Sequence, residues 1–279
     1  MATVSNDLPD EADRVAIARL AGEIEHEDGA PPLSDQALSQ LRSADVAHVV
    51  SRAADGTVVG YAQRDGDVAE IAAHPDVVQA LLEGLAEPGL LVWAHGRHSR
   101  LAAPLREHGF TPVRELYQLR RELTDLPADP PLPDDVAVRP FRPGADDAAW
   151  LAVNAAAFAS HAEQGRWTQR DLQARMDEPW FDPAGFLLAE RGGELLGYHW
   201  TKVHPDGLGE VYVLGVAPAA QGLRLGPALL VRGLRHLAER GCPAALLYVD
   251  GDNPGARRIY DRGGFREHDL DVQWRLTPA

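Results

Sequence analysis

The chain has 279 residues, a formal net charge of −15, 45% hydrophobic side chains and 25% charged ones. That is about two domains' length at roughly 100–200 residues each, with the composition of a folded globular protein. No run approaches the roughly 18 consecutive apolar residues of a membrane helix. The opening MATVSNDLPDEADR lacks the basic and then apolar pattern of a secretory leader. One cysteine, Cys242, makes neither an internal disulfide nor a cysteine-based zinc site. A cytoplasmic protein, with no metal and no membrane partner, is the expectation.

The charge is uneven. Residues 1–122 carry 11 Arg against 20 Asp and Glu, residues 123–135 add four Asp, and residues 136–279 carry 16 basic against 18 acidic side chains. Without a basic stripe the chain is a poor nucleic-acid binder, because phosphate neutralisation needs clustered cations. The nearly neutral C-terminal part is the better place for an anionic ligand. Lys202 is the only lysine beside 26 arginines, a compact ammonium where guanidinium is the rule.

In chain order, Val49–Gln63 reads as strand, Gly-containing turn and strand, and VAEIAAHP up to Pro75 as a further strand. LLVWAHGRHSRLAAPLREHGF, ending at Phe110, and then VRELYQLRR complete a first set. The Pro- and Asp-rich LTDLPADPPLPDD, residues 123–135, reads as an interdomain linker. Beyond it the series repeats. Leu187–Thr201 parallels Val49–Gln63, VYVLGVAP ending at Pro218 parallels the strand ending at Pro75, and ALLYVDGDNPGARRIYDRGGF ending at Phe265 parallels the segment ending at Phe110. The boundaries expected are a domain over 1–122 and a second over 136–279. Each is an α/β (α+β) unit with a mixed central sheet flanked by helices.

The second copy is longer by twelve residues after its Pro, where AAQGLRLGPALLVRGLRHLAERGCPA replaces DVVQALLEGLAEPG. A glycine inside the strand pattern, Gly215, suggests a bulge or a close backbone approach. A turn with Gly222 and Gly226 follows. Pro227 then begins a helix with Leu229, Leu230, Leu234 and Leu237 on one face. A strand running into a Gly loop at a helix N-terminus aims free amides at one point, which suits phosphate. The next segment reads as a buried strand, a polar turn, a helix opening near Asn253-Pro254 and a Gly-Phe exit.

Taken in order, these segments resemble the GCN5-related N-acetyltransferase (GNAT) superfamily. Its members carry a Q/R-x-x-G-x-G/A loop, here Gln221-Gly222-Leu223-Arg224-Leu225-Gly226, and an N-x-x-A-x-x-x-Y-x-x-x-G-F segment, here Asn253 to Phe265. Two such domains in one acidic chain narrow the resemblance, together with HAEQGRW (161–167), DEPWFDPAGFLLAE (177–190), GYHWTKVHPDGLGEVYVLGVAP (197–218) and LLYVDGDN (246–253). They resemble a tandem-domain actinobacterial branch that acetylates the cysteinyl amine of cysteinyl-glucosaminyl-inositol. The resemblance covers nearly the whole chain and is most specific over 161–265.

The resemblance implies acetyl-CoA as co-substrate, a small amino-sugar thiol as acceptor, and a monomer. It places pantetheine on the backbone of Leu214, Gly215 and Val216 at a strand bulge. Gln221, Gly222, Leu223, Arg224, Leu225, Gly226 and Pro227 would cradle the pyrophosphate. Asn253, Pro254, Gly255, Ala256, Arg257 and Arg258 would flank the rest of the coenzyme. Asp35, Glu163, Lys202, Glu210 and Tyr248 match acceptor contacts, and Tyr260 matches the acid that protonates the departing thiolate. The chemistry asks for such groups: a carboxylate such as Glu210 can take the proton of an ammonium, and fixed N–H donors can stabilise developing oxyanion charge.

Other readings stand beside these. Tyr248 and Tyr260 could simply pack, and Glu163 or Glu210 could be solvated. His161, His199 and His204 lack metal-ligand spacing and read as structural or rim residues, and Cys242 as a buried thiol. Arg224 stands where the family loop has Gly, which tolerates positive φ far better, and Pro227 removes one amide. In the first copy Asp67 falls opposite Glu210, Leu105 opposite Tyr260 and His98 opposite Asn253, with the phosphate loop missing. That domain is expected to be catalytically dead, a scaffold and wall for the acceptor. A related enzyme with a peptide or polyamine acceptor, and a non-catalytic acyl-CoA binder, are the alternative functions.

Overall fold

In each half of the chain the apolar runs and Gly-containing turns become strands packed under amphipathic helices. The computed structural model describes residues 3–85, 87, 89–159 and 164–277. They divide into two units, Met1–Tyr117 with Asp250–Asp252 and Asp269–Ala279, and Gln118–Val249 with Asn253–His268.

The first unit holds β1 (Thr3–Ser5), α1 (Glu11–Asp28), α2 (Asp35–Ser39), β2 (Ala47–Arg52), β3 (Val58–Asp65), β4 (Val68–Ala73), α3 (Val78–Leu85), β5 (Leu91–Ala94), α4 (Ala102–Glu107) and the start of β6 (Phe110–Glu122). Strands β1 to β4 pair antiparallel in sequence, and β4 pairs parallel with β5. Ile17, Leu20 and Ile24 of α1 pack with Val50, Tyr61 and Ala72, while Leu81, Leu82 and Leu105 pack with Val49, Ala62 and Ile71. Successive strand residues thus serve opposite faces, as the period-2 pattern requires.

The second unit follows the end of β6 with β7 (Ala137–Pro140), α5 (Asp147–Ala157), α6 (Gln169–Met176), β8 (Phe186–Arg191), β9 (Glu194–Val203), β10 (Gly209–Val216), α7 (Leu225–Glu239), β11 (Ala244–Asp250), α8 (Pro254–Arg262) and the start of β12 (Arg266–Leu276). Strand order is β7-β8-β9-β10-β11, antiparallel except for the parallel β10–β11 pair. One face is an aromatic core of Trp150, Phe186, Tyr198 and Trp200 under α5 and α6. The other packs Leu225 and Leu229 of α7 on Ala189 and Leu196. The Pro- and Asp-rich segment 123–135 is tied to α7, where Arg235 pairs with Asp129 at 2.7 Å and donates to the Pro127 carbonyl at 2.8 Å. Among the described residues, no helix is long and apolar enough to cross a membrane.

One buried and one partly buried histidine show opposite electrostatics. His199 lies wholly inside the second unit, and its Nδ1–H donates to the Leu229 carbonyl at 2.9 Å. Burial holds its pKa down to about 4, so the ring stays neutral. In the first unit His95 lies between Asp271 (Nδ1–Oδ2 3.2 Å) and Glu70 (Nε2–Oε2 3.4 Å). Burial opposes its charge, but the two carboxylates outweigh burial and raise its pKa to about 9.

These features generate two predictions. A Cβ on Gly233 of α7 would lie 2.1 Å from the His199 ring. Gly233→Ala gains about 1 kcal/mol of helix propensity but overpacks a fixed ring at a cost of roughly 1–3 kcal/mol. A net loss is expected in urea unfolding; a more stable variant would contradict the packing. For pH, the raised His95 contributes stability that is complete below its ordinary value of 6.5 and lost as pH climbs to about 9. The lowered His199 contributes stability that is present above 6.5 and lost as pH falls to about 4. Urea midpoints should therefore fall on both sides of 6.5, and His95→Gln should flatten the alkaline limb alone.

Candidate active site

Strand β10 organises the site. The sequence expectation puts a bulge at Leu214–Val216, but pairing is regular there: Leu214, Gly215 and Val216 face His199, Tyr198 and Gly197. The register shift lies between Val211 and Val213, so the extra residue is Tyr212. Gly215 is glycine because a Cβ there would lie 2.7 Å from the Tyr198 ring. Parallel pairing with β11 joins Gly209 to Ala245 and Glu210 to Leu246. Past Glu210, the β11-side edge of β10 has no ladder partner among the described residues, so backbone groups of Leu214–Val216 are available to an extended ligand.

The registers put Glu210, Lys202 and Leu246 on the face covered by α5 and α6, with Tyr248 two residues along β11 on the same side. Glu210 is buried, 7% exposed. Its Oε2 lies 2.7 Å from His204 Nε2 and 4.0 Å from Lys202 Nζ. Lys202 Nζ in turn sits 5.3 Å from the centre of the Trp180 ring and 5.9 Å from that of Tyr212. The aromatic faces add a favourable contact for its ammonium. Arg175 donates to Tyr212 Oη at 2.9 Å and stacks over Trp167 at 3.8 Å, which fixes the bulged side chain. His204 is therefore no bystander on the rim. It reaches Glu210 across the β9–β10 turn, which is closed by His204 N–H to the Leu208 carbonyl at 2.8 Å.

At the start of α7 the N–H groups of Gly222, Arg224, Leu225 and Gly226 have no acceptor among the described residues. Pro227 is the third helical residue, where a missing donor costs no helical bond. Gly222 has φ +90° and Arg224 φ +59°, the one non-glycine with positive φ among the described residues. Arg224 thus occupies the conformation for which the family pattern supplies glycine. Its side chain is exposed. Uncapped amides at a helix N-terminus fit a pyrophosphate, and the helix dipole adds to them.

Helix α8 starts as expected: the Asn253 side chain accepts from Ala256 N–H at 3.0 Å, with Pro254 next in the chain. Gly255 and Arg258 are exposed, and Arg257 pairs with Glu267 at 2.5 Å. Tyr260 is buried, and burial pushes its phenol up to about 12. Burial first, then the charge Tyr260 would carry, raises Tyr198 as well, whose Oη donates to Asn154 Oδ1 at 2.6 Å. Tyr248 does not pack in the core; it is 45% exposed and accepts from Gln118 Nε2 at 2.9 Å. Cys242 is buried, and burial raises its pKa.

Asp35 is the exposed first residue of α2, next to Ser34, whose backbone and hydroxyl bind Glu70 at 2.5 and 2.7 Å. Glu163 and His161 lie outside the described residues. In the first unit Asp67 and His98 are exposed and Leu105 is fully buried core. Missing from the sequence-derived site are His204, Trp180, Tyr212, Tyr198 and Asn154. Hairpin geometry could have found His204, since VHPDGLGE folds residue 204 back toward 210.

Fold and site together define a GNAT acyltransferase. The acetyltransferase (GNAT) family pattern matches residues 153–265. A GCN5-related N-acetyltransferase from Sphaerobacter thermophilus superposes with TM-score 0.75 at 23% identity, over 100% of this chain and 96% of its own. A tandem GNAT protein from the clavulanic acid pathway gives 0.73 at 16% identity, over the whole of both chains. The mycothiol acetyltransferase of Streptomyces avermitilis is 52% identical, covering 93% of this chain and 90% of that protein. That of Thermomonospora curvata is 47% identical, covering 94% and 93%. The chain belongs to the mycothiol acetyltransferase family.

The left-handed Arg224 yields a test. That conformation costs a non-glycine residue roughly 1–2 kcal/mol, against about 0.5–1 kcal/mol of extra chain entropy for glycine. Arg224→Gly should raise unfolding stability by about 0.5–1 kcal/mol in urea titration. A loss of stability would mean that the guanidinium makes a compensating contact.

Proposed function

We propose that this chain acetylates the cysteinyl amine of cysteinyl-glucosaminyl-inositol, giving mycothiol, with acetyl-CoA as donor. The relatives named for that reaction support the substrate. The observation that carries the chemistry is Glu210, a buried carboxylate placed where β10 and β11 stop pairing, one strand away from the lone lysine. Acetyl-CoA, when bound, supplies an acetyl group activated as a thioester.

The protein's own groups do the rest. Backbone groups of Leu214–Val216 hold an extended chain, and the amides of 222–226 hold phosphate at the dipole's positive end. Asn253, with the first turn of α8 as far as Arg258, flanks the same coenzyme. Glu210 takes a proton from the acceptor's ammonium, since an amine attacks only when neutral. Lys202 and Tyr248, on the face that carries Glu210, bind hydroxyls of the sugar and inositol. Tyr260, its pKa raised by burial, keeps a proton at Oη for the departing sulfur. Much of the rate gain comes from fixing the two reactants together.

Thiol release from acetyl-CoA, measured with cysteinyl-glucosaminyl-inositol, spermidine and a peptide in parallel, tests the proposal. The amino-sugar thiol should be turned over far faster than the other two. Glu210→Gln should lower kcat by about 10²–10⁴, and Tyr260→Phe should lower it with little change in the urea midpoint. Full turnover by Glu210→Gln, or equal rates on all three amines, would contradict the reading.

A further inference from the structure

We propose that His204 is the proton exit of this site, carrying to solvent the proton that Glu210 removes from the acceptor. The inference rests on Glu210 acting as the base. An ammonium nitrogen has three protons and the product amide nitrogen one. The departing thiolate takes one of the two lost, so one proton must reach water in every turnover. Glu210 is poorly placed to release it, because its side chain is 10% exposed and lies beneath its neighbours.

Among the described residues, the groups facing Glu210 leave one route. Lys202 on β9 sits 4.0 Å away, but an ammonium has no free pair to accept a proton. On β10, Tyr212 is partly buried and its hydroxyl already accepts from Arg175, with Glu178 nearby adding negative charge; desolvation, as the main cause, holds its phenol above the ordinary range. Tyr248 on β11 is bound by Gln118. Asp206, in the β9–β10 turn, accepts from Leu208 N–H. His204 alone among these combines a 2.7 Å contact to Glu210 Oε2 with a partly open position, its side chain 22% exposed. Its Nε2 faces the carboxyl group, and its Nδ1 has no hydrogen bond among the described residues. With the resting ring protonated at Nδ1, Nε2 accepts the proton from Glu210, the imidazolium releases its Nδ1 proton to water, and exchange of the Nε2 proton for one at Nδ1 through water restores the ring.

Two variants and one ligand-free measurement test this on the full chain. In dilute buffer, His204→Ala should lower kcat by about tenfold, with the KM for acceptor and for acetyl-CoA within about twofold of the parent. Added imidazole should restore kcat in proportion to its concentration. His204→Gln keeps a hydrogen-bonding side chain beside Glu210 but cannot relay a proton, and serves as the folding control; it should be as slow as His204→Ala in the same buffer. Without substrates, the imidazole 15N signals of His204 should move in Glu210→Gln while the remaining histidines stay in place. Parental kcat in either variant, a loss that imidazole does not touch, or unmoved His204 signals would overturn the exit route. A slow Glu210→Gln beside a fast His204→Ala would leave the base assignment standing and remove His204 alone. A fast Glu210→Gln would remove the base reading itself.

Discussion

A single extra residue in β10 sets the geometry on which the site depends. Before Tyr212 the strand pairs on both edges and holds Glu210 in a buried, fixed position. After it, β9 still pairs but β11 does not, so main-chain groups are left open along Leu214–Val216. A bulge re-aims a strand and ends pairing on one side at a modest cost in ladder bonds. Here it separates a carboxylate suited to proton removal from a backbone edge suited to an extended donor, a few residues apart on one rigid strand. Rigid placement of that kind is what effective molarity requires.

The electrostatics around Glu210 follow from the same arrangement. One carboxylate oxygen meets an imidazole and an ammonium, and the ammonium is held against two aromatic faces. Burying a carboxylate with no partner would be strongly unfavourable, and here the imidazole and the ammonium supply the partners. The aromatic core beneath, built on Trp150, Phe186 and Trp200 with T-shaped and stacked contacts, gives those groups a stiff floor. The first unit uses its polar groups differently. Its partly buried His95 joins two carboxylates, Leu105 fills its core, and Asp67 and His98 are exposed, so among the described residues the positions matching Glu210, Tyr260 and Asn253 are not gathered into a like constellation.

Much of this was legible in the sequence, for identifiable reasons. Strand–turn–strand runs, the helix opened by Asn253-Pro254 and the apolar stripe Leu229, Leu230, Leu234 and Leu237 rest on local chemistry, and the fold follows them. Positive φ at Arg224 was legible too, because glycine occupies that place in the loop pattern. The bulge was not. Gly215 looked like the irregular position, yet its missing side chain makes room for Tyr198 from the neighbouring strand, a cross-strand fact absent from local sequence. Tyr212 has no local mark of a bulge, being an aromatic in a β-favouring run. His204 escaped because its contact with Glu210 depends on a hairpin register that brings positions 204 and 210 together. Tyr248, matched to an acceptor contact by the resemblance, could have packed by its apolar neighbours, but it is 45% exposed.

A crystal structure of the protein with coenzyme A tests the central assignment most directly. The account predicts pantetheine along the free edge of Leu214–Val216, with the pyrophosphate on the amides of residues 222–226. Coenzyme bound elsewhere, or β10 and β11 zipped together beyond Glu210 with no room between them, would contradict it.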